Sequence, residues 1–107
     1  MVYVIWTDPA IEDLRAIRDY IESRAPGAAR RFCTELYESS DRLRVLPRGG
    51  QVVPEFGLEH VREILFGDYR IIYRIAAGAC YVMYVMTVIH GSRDLARHID
   101  PRGWDPG

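Results

Sequence analysis

The stretch VREILFGDYRIIYRIAAGACYVMYVMTVIHGSRD, residues 61–94, decides the fold of this chain. It contains three runs rich in β-branched and aromatic residues, which favour β-strands. The pairs Gly67-Asp68 and Ala77-Gly78 separate the runs, and short turns of this composition close β-hairpins. The sequence therefore predicts three consecutive antiparallel strands, over residues 61–66, 69–76 and 79–89.

The second of these strands alternates in character, and successive side chains of a strand point to opposite faces of the sheet. One face is predicted to carry Tyr69, Ile71, Tyr73 and Ile75, and the other Arg70, Ile72, Arg74 and Ala76. The third strand is apolar on both faces, which predicts a central strand that is covered on both sides. The half-polar face of the second strand would then offer two arginines to a partner.

The residues before this sheet predict one short strand and two helices. Val2 to Trp6 is a β-branched and aromatic run, and Thr7-Asp8-Pro9 is a typical helix start. Apolar residues then recur at helical spacing at positions 11, 14, 17 and 21. The first helix is expected to end near residues 24–27, because Pro26 disfavours helical geometry in the residue before it.

A second helix is predicted from about Pro26 to residue 45 or 46, stopped by Pro47 and the pair Gly49-Gly50. Because few residues link the two helices, they should pack as an antiparallel hairpin. Residues 48–60 lack periodicity and are expected to form a loop, either a functional surface loop or a simple connection to the sheet.

After the last strand, Ser92 is a candidate cap for a short helix from Arg93 to about Ile99, with Asp94 in its first turn. Residues 99–107 are expected to form a tail. The predicted fold is therefore α+β, with a two-helix hairpin packed on a small antiparallel sheet. Its element order is β-α-α-β-β-β with a short C-terminal helix, in a single domain over residues 1–107.

Composition excludes several kinds of function. The formal net charge of −1 does not indicate bulk nucleic-acid binding, and all 14 basic residues are arginine, so lysine-dependent chemistry is ruled out. No apolar run is long enough to span a bilayer, so we expect a cytoplasmic protein with no membrane partner. Cys33 and Cys80 show no metal or redox spacing, and neither a metal nor a cofactor is predicted.

The arginines are the first candidates for a functional site. Guanidinium groups match phosphate and carboxylate geometrically, so four arginines could form a binding patch: Arg62, Arg70, Arg74 and Arg93. Alternatively, each arginine pairs with a neighbouring carboxylate as a structural ion pair, with Glu63, Asp68 and Asp94 as the candidate partners.

His90 and the tyrosines leave similar alternatives. His90 follows an apolar strand and could act as a general acid or base, or could form a hydrogen bond at the sheet edge. Four tyrosines interleaved with arginines could stack on single-stranded bases or could pack in the core and at its rim: Tyr69, Tyr73, Tyr81 and Tyr84. The three histidines, His60, His90 and His98, match no metal-ligand spacing.

Four segments together resemble the RelE/ParE superfamily of type II toxins, with the ParE branch the more similar. They are DPAIEDLRAIRDYIESRAPGAARRF, DRLRVLP, VREILFGDYRIIYRI and YVMTVIHGSRDL, and the resemblance covers about residues 2–98. It implies a two-helix hairpin on a small antiparallel sheet and a cognate antitoxin that folds on binding. ParE toxins of this superfamily inhibit DNA gyrase, whereas RelE toxins cut mRNA in the ribosome.

The resemblance leaves three hypotheses: a toxin that binds gyrase, a ribosome-dependent endoribonuclease, and a non-toxic relative. As a ribosome-dependent endoribonuclease, the chain would use Arg62 and Arg70 on the scissile phosphate, His90 for proton transfer and Glu59 or Glu63 as a base. However, it has no lysine, and Gly91-Ser92 follows His90 where such a nuclease has an aromatic residue. A third possibility is a non-toxic relative that binds its antitoxin alone.

We therefore expect a toxin that inhibits DNA gyrase by binding it and that has no catalytic residues. The residues expected to contact its partners are Arg62, Tyr69, Arg70, Tyr73, His90, Arg93 and Asp94.

Overall fold

A computed structural model of the chain describes residues 2–104. The elements in chain order are β1 (Val2–Trp6), α1 (Asp8–Arg24), α2 (Ala29–Ser39), β2 (Gln51–Val52), β3 (Val61–Phe66), β4 (Tyr69–Ala77), β5 (Tyr81–His90) and α3 (Leu95–His98). A 3-10 helix over Ser40–Arg44 continues α2. The predicted α+β class, the helical hairpin and the short C-terminal helix are confirmed.

The sheet has five strands in the order β1-β5-β4-β3-β2. Strands β3, β4 and β5 pair antiparallel, as predicted, with Gly67-Asp68 as the turn between β3 and β4, and β2 pairs antiparallel with β3. Strand β1 instead pairs parallel to β5, so the sheet is mixed. Parallel pairing requires a long connection between the two strands, and the helical hairpin lies in that connection. Strand β2 lies within residues 48–60, where a loop was expected.

The larger core lies between the sheet and the helices. Ile17 of α1 and Leu36 of α2 are buried against the sheet, together with Leu43 of the 3-10 helix. The sheet contributes Ile64, Ile71, Tyr73, Ile75, Met83, Val85 and Val88. The predicted alternation of β4 is therefore confirmed, since Ile71, Tyr73 and Ile75 face the helices.

A smaller core covers part of the opposite face. Its buried residues are Val53, Val61, Ile72, Ile89 and Leu95, with Phe56, Leu58, Ile99 and Trp104 packed around them. Strand β5 is central, as predicted, but Val82 and Tyr84 remain half-exposed, so that strand is not covered throughout. The predicted tail is also incorrect in part, because Ile99 and Trp104 pack in this core; residues 105–107 lie outside the described part of the chain.

The helix ends follow local chemistry. The Oγ1 atom of Thr7 accepts a hydrogen bond from the N–H of Ala10 and caps α1, as predicted. The cap of α3 is Asp94, whose side chain accepts from the N–H of Ala96, and not Ser92 as predicted.

Among residues 2–104, the structure contains no helix with the length and apolar character required to cross a bilayer.

Candidate partner-binding site

Arg70 is held by two carboxylates of its own chain. Its Nη1 and Nη2 donate to Glu55 Oε2 and Oε1 at 2.6 and 2.8 Å, and its Nε donates to Glu63 Oε1 at 2.5 Å. The Glu63 side chain is 3% exposed, and its second oxygen accepts from Gln51 Nε2 at 2.9 Å. The hydrogen bonds to Glu55 are the main cause that raises the pKa of Arg70, so its guanidinium is permanently charged and fully engaged.

Arg62 holds the segment 48–60 against the edge of the sheet. Its Nη1 donates to the carbonyl oxygen of Gly50 at 3.0 Å, while Nε and Nη2 donate to the carbonyl and carboxylate oxygens of Glu59 at 3.0 and 2.7 Å. The Arg62 side chain is 12% exposed. Arg62 therefore links β3 to this segment through hydrogen bonds.

Arg70 and Arg62 therefore form structural ion pairs, which is one of the two alternatives that the sequence left open. Of the predicted carboxylate partners, Glu63 does pair with Arg70, whereas Asp94 lies 3.5 Å from Arg97. Arg74 lies over the ring of Tyr84, with its guanidinium carbon 4.3 Å from the ring centroid. Within residues 2–104, strands β3 and β4 therefore present no row of available arginines. Groups of the segment 48–60 occupy Arg62 and Arg70, Glu63 also pairs with Arg70, and Arg74 contacts the ring of Tyr84.

The two tyrosines of β4 also face the interior. Tyr73 is fully buried, donates its hydroxyl to the Pro47 carbonyl at 3.1 Å and accepts from the N–H of Gly50 at 3.0 Å. Its burial raises the pKa of its phenol. Tyr69 is half-buried and meets the rings of Phe32 and His90 edge-on, at 5.9 and 5.3 Å between centroids. Tyr73 belongs to the core, whereas Tyr69 borders a surface groove.

This groove runs between α1 and the end of β5 and encloses about 760 Å³. We name it the α1–β5 groove; six of the residues that line it are Tyr20, Phe32, Tyr69, His90, Arg93 and His98. The fold thus brings together three of the predicted contact residues, Tyr69, His90 and Arg93. Asp94 follows them in sequence but serves as the cap of α3.

His90 and Arg93 differ from the sheet arginines in being available to a partner. The Nδ1 atom of His90 accepts from the N–H of Ser92 at 3.1 Å, and because a backbone N–H can only donate, we assign the ring proton to Nε2. Arg93 is exposed, and within residues 2–104 its guanidinium makes no ion pair, hydrogen bond or ring contact. Both groups can therefore donate hydrogen bonds to an anionic partner.

The helix residues of the groove were not predicted from the sequence. Asp13 accepts hydrogen bonds from Thr87 Oγ1 and the N–H of Val88, at 2.5 and 3.0 Å, and so fixes α1 to β5. Tyr20 is 53% exposed and lies outside the buried stripe of α1. The one sequence feature that could have indicated this groove was Tyr20 itself, a large aromatic residue on the polar face of α1. Within residues 2–104, no three His, Cys, Asp or Glu side chains are grouped closely enough to hold a metal.

The Arg70–Glu55 pair predicts an acid-dependent loss of stability. Hydrogen bonds from Arg70 lower the pKa of Glu55 below its ordinary value of 4.5, so the stabilisation is fully present above that value and disappears as the pH falls through the folded-state pKa. Urea unfolding between about pH 6 and pH 3 should show a shallower decline in stability for Glu55→Gln than for the wild type. Glu38→Gln, an exposed carboxylate without an ion pair among residues 2–104, should keep the wild-type slope. Equal slopes for all three proteins would contradict this assignment.

Comparison with known proteins identifies the chain. The family model described as ParE toxin of type II toxin-antitoxin system, parDE, matches residues 4–95. A curated relative, Toxin RelE2 of Caulobacter vibrioides, is 33% identical over 94 residues, which cover 87% of this chain and 99% of the relative. A solved structure described as the chromosomal ParDE TA system from P. aeruginosa has the same fold, with a TM-score of 0.70 and 19% identity, covering 84% of this chain and 96% of the other.

The helical hairpin, the mixed sheet and these matches define the class as type II toxins of the RelE/ParE superfamily. The chain belongs to the ParE toxin family of type II toxin-antitoxin systems. Membership implies a cognate antitoxin as a partner.

Proposed function

We propose that this toxin acts in the cytoplasm by binding DNA gyrase, without bond-breaking chemistry of its own, and that its cognate antitoxin prevents this binding. The observation that carries the proposal is that the guanidinium groups of Arg62 and Arg70 are already hydrogen-bonded within the chain. A nuclease of this superfamily would need these two residues to hold the scissile phosphate, but both donate to carboxylate and carbonyl oxygens of the segment 48–60.

Releasing Arg70 for a phosphate would be costly. Breaking a buried ion pair costs about 3–5 kcal/mol, because the remaining charge is left in a poorly solvated position. Here that charge would belong to Glu63, which is 3% exposed. In addition, the carboxylates of Glu55 and Glu59 lie next to the two guanidiniums and would repel an incoming phosphate.

The groups that remain available fit contact with a protein. Aromatic residues and arginine are enriched at protein–protein interfaces. The α1–β5 groove combines Tyr20 and Tyr69 with Arg93, which has no ion-pair partner within residues 2–104. Because the chain has a net charge of −1, it lacks the strongly basic character expected of a nucleic-acid-binding domain.

Purified gyrase provides the test. The toxin at a small molar excess should abolish supercoiling of relaxed plasmid, and toxin mixed beforehand with its antitoxin should leave supercoiling intact. As a matched control, an in vitro translation reaction analysed by primer extension should show no codon-specific cuts. Unchanged supercoiling at high toxin excess would refute gyrase binding as the mode of action.

Ribosome-dependent cleavage is the second candidate, and the hydrogen-bond donors at half-buried His90 and exposed Arg93 favour it. If cuts appear in the translation reaction and disappear in both His90→Ala and Arg62→Ala, this activity replaces gyrase binding. If expression of the chain without its antitoxin leaves bacterial growth normal while the protein is soluble, the chain is a non-toxic relative that binds its antitoxin alone.

A further inference from the structure

The first strand of the chain, β1, lies at an edge of the sheet that has none of the usual protection. Among residues 2–104 its one neighbouring strand is β5. Proteins commonly protect such an edge by a charge, a proline, a bulge or a very short strand, because its backbone groups can pair with another chain. Val2–Trp6 is five residues long, contains no charge and no proline, and pairs with β5 without a bulge. At the other edge, β2 is only two residues long and Pro54 follows it closely.

The backbone of β1 presents hydrogen-bonding groups at this edge. The N–H of Thr7 donates to the carbonyl oxygen of Val85 in β5 at 3.1 Å. Successive residues of a strand direct their N–H and C=O groups to opposite sides, so every second residue before Thr7 is also bonded to β5. The residues between them direct both groups to the open edge: Val2, Val4 and Trp6. A further strand can therefore extend the sheet here.

An apolar surface adjoins the open edge on the face of the sheet away from the helices. Tyr3 and Ile5 lie on this face and are both 43% exposed, since the alternate residues of β1 pack in the larger core. Their partners in β5, Val82 and Tyr84, are half-exposed, and Arg74 of β4 lies over the Tyr84 ring. A strand added to β1 would continue this apolar surface, which is the kind of surface that marks an interaction site.

We infer that two copies of the chain pair antiparallel through β1 about a two-fold axis, so that their five-stranded sheets become one. The pairing is centred on Val4, which lies opposite Val4 of the second copy. Since Val4 directs both backbone groups to the open edge, the two residues form a hydrogen-bonded pair. Val2 and Trp6 of the second copy form another, and its symmetry mate brings the total to about six backbone hydrogen bonds.

The strand is complementary to itself, and this favours a second copy as the partner. A two-fold antiparallel pair uses the same surface on both chains and closes after two copies. In this register Tyr3 lies opposite Ile5 of the second copy, which is a favourable aromatic and β-branched pair, and no like charges meet because Val2–Trp6 carries none. A shift by one residue would place Tyr3 opposite a core-facing residue, so the apolar surfaces of the two copies would no longer join.

Analytical ultracentrifugation of the purified full-length toxin tests the pairing. At about 1–100 μM, the wild type should show a monomer–dimer equilibrium with a Kd of about 10 μM, because the interface is small. Ile5→Lys should weaken association at least about 30-fold, since its ammonium group would lose water opposite Tyr3 of the second copy. Because the Ile5 side chain is exposed on the sheet surface, this variant should unfold at the wild-type temperature.

Leu65→Lys is the matched control. Leu65 is also an exposed apolar strand residue, 57% exposed, but it lies in β3, which β4 and β5 separate from β1. Its Kd should stay within about threefold of the wild type. A wild type that is monomeric at about 100 μM would overturn the inference, and so would equal weakening of association by Leu65→Lys and Ile5→Lys.

Cysteine cross-linking tests the register. Tyr3 and Ile5 of the second copy would form a non-hydrogen-bonded pair with about 4.5 Å between Cα atoms, which is within disulfide range. Diamide oxidation of an equal mixture of Tyr3→Cys and Ile5→Cys should therefore give a disulfide-linked dimer. Either variant alone should stay at the level of the wild type, whose own thiols are Cys33 and Cys80. Equal cross-linking of the mixture and of either single variant would refute this pairing.

Affinity for the antitoxin distinguishes a second copy from another occupant of the edge. A monomeric wild type together with an Ile5→Lys variant that binds the antitoxin more weakly would assign the edge to the antitoxin and refute the homodimer. The inference does not depend on the target of the toxin. A wild type that dimerises and cross-links as expected but leaves gyrase supercoiling unchanged would refute the proposed function and support the β1 pairing.

Discussion

Replacing Arg70 with methionine is expected to lower the free energy of unfolding by about 3–5 kcal/mol. Methionine keeps the apolar stem but removes the guanidinium that donates to Glu63 at 2.5 Å and to Glu55 at 2.6 and 2.8 Å. Glu63 is 3% exposed, so its carboxylate would remain buried with Gln51 as its hydrogen-bond partner. The cost arises from this poorly compensated charge and not from the loss of an exposed ion pair.

Urea unfolding followed by circular dichroism measures the effect. Arg31→Met is the matched control, because the Arg31 side chain is 87% exposed in its pair with Glu35. Its removal should cost no more than about 0.5 kcal/mol. The double variant Arg70→Met, Glu63→Leu should recover most of the lost stability, since it removes the buried charge as well. A loss below about 1 kcal/mol in the single variant would show that the Glu63 carboxylate is not stabilised by Arg70.

Gly50→Ala is expected to be destabilising by about 3–4 kcal/mol, because a side chain at this position has no space. A Cβ atom there would collide with the carbonyl oxygen of Glu63 in β3 and would lie 2.7 Å from Tyr73 Oη. Neither the strand backbone nor the buried tyrosine can move away easily. The displacement would also disturb two hydrogen bonds, from the N–H of Gly50 to Tyr73 Oη and from Arg62 Nη1 to the Gly50 carbonyl.

The same unfolding measurement tests this prediction, with Gly78→Ala as the control. A Cβ atom at Gly78 would meet no atom within 4 Å, so its substitution should change stability by less than about 0.5 kcal/mol. If Gly50→Ala unfolds within about 1 kcal/mol of the wild type, the segment 48–60 is not pinned to β3 as described. Gly50→Ala should also increase proteolysis within residues 48–60, because its contacts with Arg62 and Tyr73 hold that segment in place.

Strands β3 and β4, the turn between them and the two long helices were predictable from the sequence, because their signals are local. Alternation along β4 placed Ile71, Tyr73 and Ile75 on one face, and that face is the one buried by the helices. The Gly67-Asp68 turn and the Thr7 cap depend on residues that are adjacent or nearly adjacent in the chain. The family resemblance could also be recognised from the sequence, because it rests on short continuous segments of the chain.

The tertiary structure decided what the arginines do. Arg70 lies 15 positions from Glu55, and Glu55 belongs to an aperiodic segment whose path no local pattern specifies. The parallel placement of β1, and the meeting of Tyr20 with His90 and Arg93 in one groove, likewise depend on how distant elements pack. The sequence by itself determined the elements and the superfamily, because turns, caps and periodicity act over a few residues. Only the fold determined that Arg62 and Arg70 are occupied while Arg93 has no ion pair within residues 2–104, because that depends on contacts between residues far apart in the chain.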